Sequence, residues 1–106
     1  MTTTGCWRIC QHVGATLIHH FKLQLSESEL IELVVWHVPS PVPPSTHDFK
    51  YRAAYNVDGE RILGFDNERG KGDHMHFRGE ESPYIFTSVE KLVEDFGAMV
   101  ALMSRR

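Results

Sequence analysis

The sequence predicts an α+β fold: a mainly antiparallel, twisted sheet of about five or six strands with a C-terminal helix packed across one face. Three observations carry this. Apolar and polar residues alternate with a period of two in several segments before residue 87, the signature of strands with one buried face. Asp58-Gly59 between two such segments is a two-residue hairpin signal, because both residues tolerate positive φ. After residue 87 the apolar period changes to that of a helix.

Composition bounds the reading. The chain has 106 residues, enough for one domain and not for two. It is 42% hydrophobic and 24% charged, which suits a folded core rather than disorder. A formal net charge of −3 excludes a protein coated in positive charge for duplex DNA, though not a local basic patch. No apolar stretch is long enough to cross a bilayer. The start, Met1-Thr2-Thr3-Thr4-Gly5-Cys6, lacks the basic and apolar regions of a signal peptide. A cytoplasmic protein with no membrane partner is expected.

Residues 1–14 have weak periodicity and read as an N-terminal extension or irregular segment, followed by a single α+β domain over 15–106. Cys6 and Cys10, with His12, are too few ligands for a structural zinc site and read as reduced thiols. In 15–25, Leu17, His19, Phe21, Leu23 and Leu25 point one way and Thr16, Ile18, His20, Lys22 and Gln24 the other, so one face of a strand should be buried. A polar turn at 26–28 and a β-rich run over 29–38 complete a hairpin. Pro39, Pro41, Pro43 and Pro44 then rule out helix or central strand. They make a stiff connector between two parts of one sheet.

Over 49–57, Phe49, Tyr51, Ala53, Tyr55 and Val57 form one face and Lys50, Arg52, Ala54 and Asn56 the other. Residues 60–65 return as the partner strand. Residues 65–76 hold three carboxylates, a lysine, an arginine, two histidines and an amide, and read as a functional loop on a rigid scaffold. A short strand over 74–78, a turn at 79–83 and a brief apolar strand over 84–86 follow. Thr87-Ser88-Val89-Glu90 is a capping box with Thr87 as the cap. Val89, Leu92, Val93, Phe96, Val100 and Met103 form the helix's apolar stripe. Glu90, Glu94 and Asp95 near its start and Arg105 and Arg106 at its end complement the dipole.

One resemblance stands out. Val38-Pro39-Ser40-Pro41-Val42-Pro43-Pro44-Ser45-Thr46-His47-Asp48-Phe49-Lys50-Tyr51-Arg52, then Asp66-Asn67-Glu68-Arg69-Gly70-Lys71-Gly72-Asp73-His74-Met75-His76, then Tyr84-Ile85-Phe86 and Asp95-Phe96 resemble the TumE family of small prokaryotic proteins. The resemblance runs from about residue 15 to the end of the helix. Phe65 stands where a tyrosine is more usual. The resemblance implies a cytoplasmic toxin of a toxin–antitoxin pair, a cognate antitoxin as partner, and RNA or ribosome-associated mRNA as target.

RNA cleavage sets the roles. A 2′-hydroxyl must lose a proton and the 5′-oxygen gain one, which suits histidine near pH 7. Lysine and arginine suit the phosphate charge. If 74–78 is a strand, His74, His76 and Arg78 share a face. His74, His76, Lys71 and Arg52 are therefore the expected catalytic set. Lys50, Arg78, Asn67 and Arg69 are expected at the substrate, and Asp66, Glu68 and Asp73 in structural or orienting parts. The reaction is read as needing neither metal nor cofactor. A competing metal reading draws on Asp66, Glu68, Asp73, His74 and His76, since His-x-His on a strand places both rings on one ion. Two other classes stay open: a binding module without activity, acting through its sheet face or an edge strand, and a nucleotide-directed transferase toxin. Exposed sheet edges leave a homodimer open.

Overall fold

The computed structural model describes residues 14–104. Six antiparallel strands follow one another in space as in sequence: β1 (Thr16–Gln24), β2 (Glu29–His37), β3 (Phe49–Val57), β4 (Glu60–Glu68), β5 (Gly72–Phe77) and β6 (Glu80–Pro83). One helix, α1 (Val89–Met103), closes the fold. This is the α+β class expected, with every strand hydrogen-bonded to its sequence neighbours. Residues 1–13, including Cys6, Cys10 and His12, and the pair Arg105 and Arg106 lie outside the described residues.

The pleat divides the sheet into two faces. Leu33 and Val35 of β2, Tyr51, Ala53 and Tyr55 of β3, and Leu63 and Phe65 of β4 form the inner face, and Leu92, Phe96 and Val100 of α1 pack against it. Leu92 is fully buried, and burying a leucine contributes about 2 kcal/mol. Phe65 anchors the layer, edge-on to both Tyr84 and Phe96. No helix of the described residues lies on the outer face. The register places Arg52, Gly64, Asp66, His74 and His76 there together.

The loops tie the layers. Val38 and Val42 of the proline connector are buried, and the connector joins β2 to β3 within one sheet, as expected. Its Pro43 carbonyl accepts the Gly70 N–H (2.9 Å), which fastens it to the β4–β5 turn. Glu29, buried at the start of β2, accepts hydroxyls from Tyr55 (2.8 Å), Ser26 (3.0 Å) and Ser104. That last bond fastens the end of α1 to the sheet.

Several expectations are corrected. The one-sided burial of β1 is not found: all nine of its residues are exposed. Helix α1 covers β2 to β4 and stops short of this edge, leaving an apolar groove lined by Phe21, Leu25, Leu33, Phe96 and Val100. An irregularity between Leu17 and His19 also breaks the alternation, so Leu17 lies opposite Trp36 on the outer face while Phe21 lies opposite Leu33 on the inner one. The loop expected over 65–76 is a hairpin instead, with β4 and β5 paired through to Glu68 and Gly72. Residues 79–83 do not form a turn. Arg78 (φ 49°) and Gly79 (φ 87°) make a two-residue turn, and β6 follows directly. Residues 84–86 form no strand. They cross from the sheet edge to α1, where the Tyr84 hydroxyl donates to Asp95 (2.7 Å). The helix cap is Ser88, one residue later than Thr87; its Oγ accepts the Lys91 N–H (3.0 Å).

Candidate active site

The site is built by strand register. On the outer face His74 of β5 lies directly across from Asp66 of β4, and His76 lies between Gly64 of β4 and Glu81 of β6. Arg52 of β3 lies across from Asp66 on its other side. The pleat spaces His74 and His76 on one face, and their rings meet edge to face with centroids 4.8 Å apart. The three-residue turn that aligns β4 with β5 needs Gly72. Its φ is 77°, and a Cβ there would lie 3.1 Å from Pro44 Cγ.

Four polar atoms converge. His74 Nε2 lies 2.6 Å from Asp66 Oδ1, and His76 Nε2 lies 3.8 Å from the same oxygen. Glu81 Oε2 is 3.5 Å from each of the two ring nitrogens. Lys71 Nζ, 2.7 Å from Glu81 Oε2, stands at the rim. Lys71, His74, Glu81 and Pro83 border a shallow cleft of about 240 Å³.

Hydrogen bonding orients the rings. The Gly72 carbonyl accepts a proton from His74 Nδ1 (2.9 Å), so Nε2 is turned toward Asp66. His74 is only 5% exposed. Despite their proximity, neither His74 Nε2 nor Asp66 Oδ1 makes a hydrogen bond, and both atoms are buried. The approach is too oblique for one. His76 is held below the usual histidine range, first by burial and then by the Arg61 guanidinium, against the opposing pull of Asp66. Arg61 lies across Gly64, where a Cβ would come within 3.1 Å of Arg61 Cδ. The hydrogen bond between Lys71 and Glu81 pushes the lysine up and the glutamate down.

The other expected residues are distributed as follows. Lys50 is on the outer face, and its ammonium donates to the Asn67 carbonyl. Asn67 itself faces inward and is fully buried. Its side chain accepts the Tyr51 N–H (3.0 Å) and donates to the Phe49 carbonyl (2.7 Å), so it holds β4 to β3. Glu68 and Arg69 are exposed at the β4–β5 turn. Arg78 does not share a face with His74 and His76, because β5 ends at Phe77. Its guanidinium lies over the Phe77 ring, 5.3 Å from the centroid.

Asp73 points to the inner face, away from both histidines. It accepts hydroxyls from Ser45 (2.6 Å) and Tyr51 (2.6 Å) and contacts His47 Nε2 (2.7 Å). The Phe49 N–H donates to His47 Nδ1 (3.2 Å), so Nε2 carries the proton given to Asp73. Burial pushes Asp73 up, yet these three hydrogen bonds outweigh it and hold the carboxyl below its ordinary 3.8. Burial and the bond to Asp73 together push the Tyr51 phenol far above its usual range.

Sequence reasoning missed Arg61 and Glu81. The Asp58-Gly59 turn pairs Arg61 with Asn56, a residue already on the polar face, so hairpin register alone reveals Arg61. Glu81 was hidden by reading 79–83 as a turn.

The assembled groups present two imidazole nitrogens and two carboxylate oxygens around one point, with cationic side chains beside them. Such a set can hold a cation or a charged substrate. Among the described residues no helix is long and apolar enough to cross a membrane. No curated protein and no solved structure matches the chain. The family model described as Toxin TumE matches residues 11–103, beginning slightly before the resemblance read from the motifs. The chain therefore belongs to the TumE family, the toxin half of a toxin–antitoxin pair.

Proposed function

We propose that the protein acts in the cytoplasm by cleaving RNA, with its reaction centre where Asp66, His74, His76 and Glu81 converge. The observation that supports this best is the convergence itself. Both Nε2 atoms face the same carboxylate oxygens at 2.6 to 3.8 Å on one sheet face. Lys71 and Arg61 supply positive charge for a phosphate on either side. The step is attack of a ribose 2′-oxygen on the adjacent phosphorus with breakage of the P–O5′ bond, the proton passing from the first oxygen to the second.

The division of labour differs from one in which each histidine moves a proton. His74 borders the cleft but is almost fully buried and is held by Gly72. Its part is to set the geometry and charge of the centre. His76 is more open, and burial and Arg61 hold it below the usual histidine range, so its Nε2 presents a lone pair at neutral pH. A bound antitoxin has only to cover this cleft to silence it.

The test is incubation of the purified protein with total cellular RNA, beside Asp66→Asn and His76→Ala variants. Cleavage by the wild type and a loss of about 100-fold or more in each folded variant is the expected result. Growth arrest without RNA cleavage would overturn the reading in favour of a binding module or a nucleotide-directed transfer.

A further inference from the structure

The buried contact between His74 and Asp66 has a lone pair too many. His74 Nδ1 gives its proton to the Gly72 carbonyl, so in the neutral ring Nε2 bears a lone pair. It faces a carboxylate oxygen 2.6 Å away. Two acceptors at that distance repel, and nothing in the described protein stands between them. The oblique approach denies the two atoms a hydrogen bond. A cation placed off the line joining the two atoms satisfies both at once.

We infer that the outer face of β4 and β5 holds one divalent transition-metal ion, bound by Asp66 Oδ1, His74 Nε2 and His76 Nε2, with Glu81 as a fourth, exchangeable oxygen ligand.

The geometry fits. The ligand atoms of Asp66, His74 and His76 all lie within 4.8 Å of one another. Bonds of about 2.1 Å to a tetrahedral ion put ligand atoms about 3.4 Å apart. The contacts at 3.5 and 3.8 Å match that spacing, and the one at 2.6 Å needs only a small opening. The Gly72 carbonyl on Nδ1 is the outer partner that metal-bound histidines use to fix their tautomer. Two imidazoles with carboxylates select zinc, cobalt, iron or manganese over magnesium and calcium, which prefer oxygen alone. Glu81 is the outermost of the four and is shared with Lys71. It is the ligand a phosphate oxygen would displace, a clause that rests on the RNA-cleaving reading. The ion site itself does not.

The test uses the full chain, stripped with a chelator and titrated with Zn²⁺ by calorimetry and with Co²⁺ by visible absorption. One ion per chain is expected, with a cobalt spectrum of imidazole and carboxylate ligation. His76→Ala and the near-isosteric Asp66→Asn should each weaken binding by about 100-fold or more. His20→Ala, on the outer face of the distant β1, should leave it unchanged. Circular dichroism separates lost ligation from lost folding, and Asp66→Asn serves if His76→Ala does not fold. Absence of stoichiometric binding by the wild type, or equal binding in both site variants, overturns the inference. RNA cleavage by a wild-type protein that binds no ion overturns the inference and spares the proposed function. Stoichiometric binding by a protein that leaves RNA intact does the reverse.

Discussion

Single residues in this chain act by the face on which they fall. Asp73 and His74 are adjacent, yet one gathers Ser45, His47 and Tyr51 beneath the sheet and the other meets Asp66 above it. Asp73 has a pH signature of its own. Unfolded, its carboxyl titrates near 3.8; folded, it titrates lower. Its stabilisation is therefore complete well above 3.8 and is lost as the pH falls through the folded value. Wild type should lose stability on acidification across this range, and Asp73→Asn should show a flatter profile there in thermal melts. At neutral pH, Asp73→Ala should cost about 3 kcal/mol, because it strands two hydroxyls and a ring N–H. The sequence showed that Asp73 mattered without showing to what. Two of its partners, Ser45 and His47, come from a connector 26 to 28 residues away, a contact that no local pattern reveals.

At the scale of elements, turn geometry decides which residues meet. The β4–β5 hairpin depends on Gly72, whose φ of 77° and close approach to Pro44 both exclude a side chain. Gly72→Ala should destabilise the protein by about 1–3 kcal/mol in denaturant melts. It should also lower activity, since the Gly72 carbonyl orients His74. Alternation and the Asp58-Gly59 turn made β2, β3 and β4 legible, and helical spacing did the same for α1. The Arg78-Gly79 turn was not legible because arginine rarely adopts positive φ. That one position concealed β6, and with it Glu81. The candidate site was accordingly half visible: His74, His76, Asp66 and Lys71 could be named, but Arg61 and Glu81 needed the register. Asn67 looked like a substrate contact only because nothing in a sequence tells a buried amide from an exposed one.

At the scale of the molecule, α1 divides the sheet into a covered centre and an uncovered edge. Leu92→Ala should cost about 2–5 kcal/mol in equilibrium unfolding, since it opens a cavity under the helix. Phe21→Ala should cost about 1 kcal/mol or less, its ring being 47% exposed on β1. Similar losses from the two would mean that β1 is covered in solution by something other than α1. The alternation in 15–25 predicted a buried face because periodicity reports which residues share a side, not whether anything lies over it. At the other edge, among the described strands, the four residues of β6 pair with β5. If that short strand peels away, β5 is free to follow. The proline connector would then lose Asp73, and the proposed reaction centre would lose both histidines, in a single opening event. Integrity and activity are thus coupled through one thin margin of the sheet. A partner that held β6 open would disarm the proposed centre by drawing Glu81 away from both histidines.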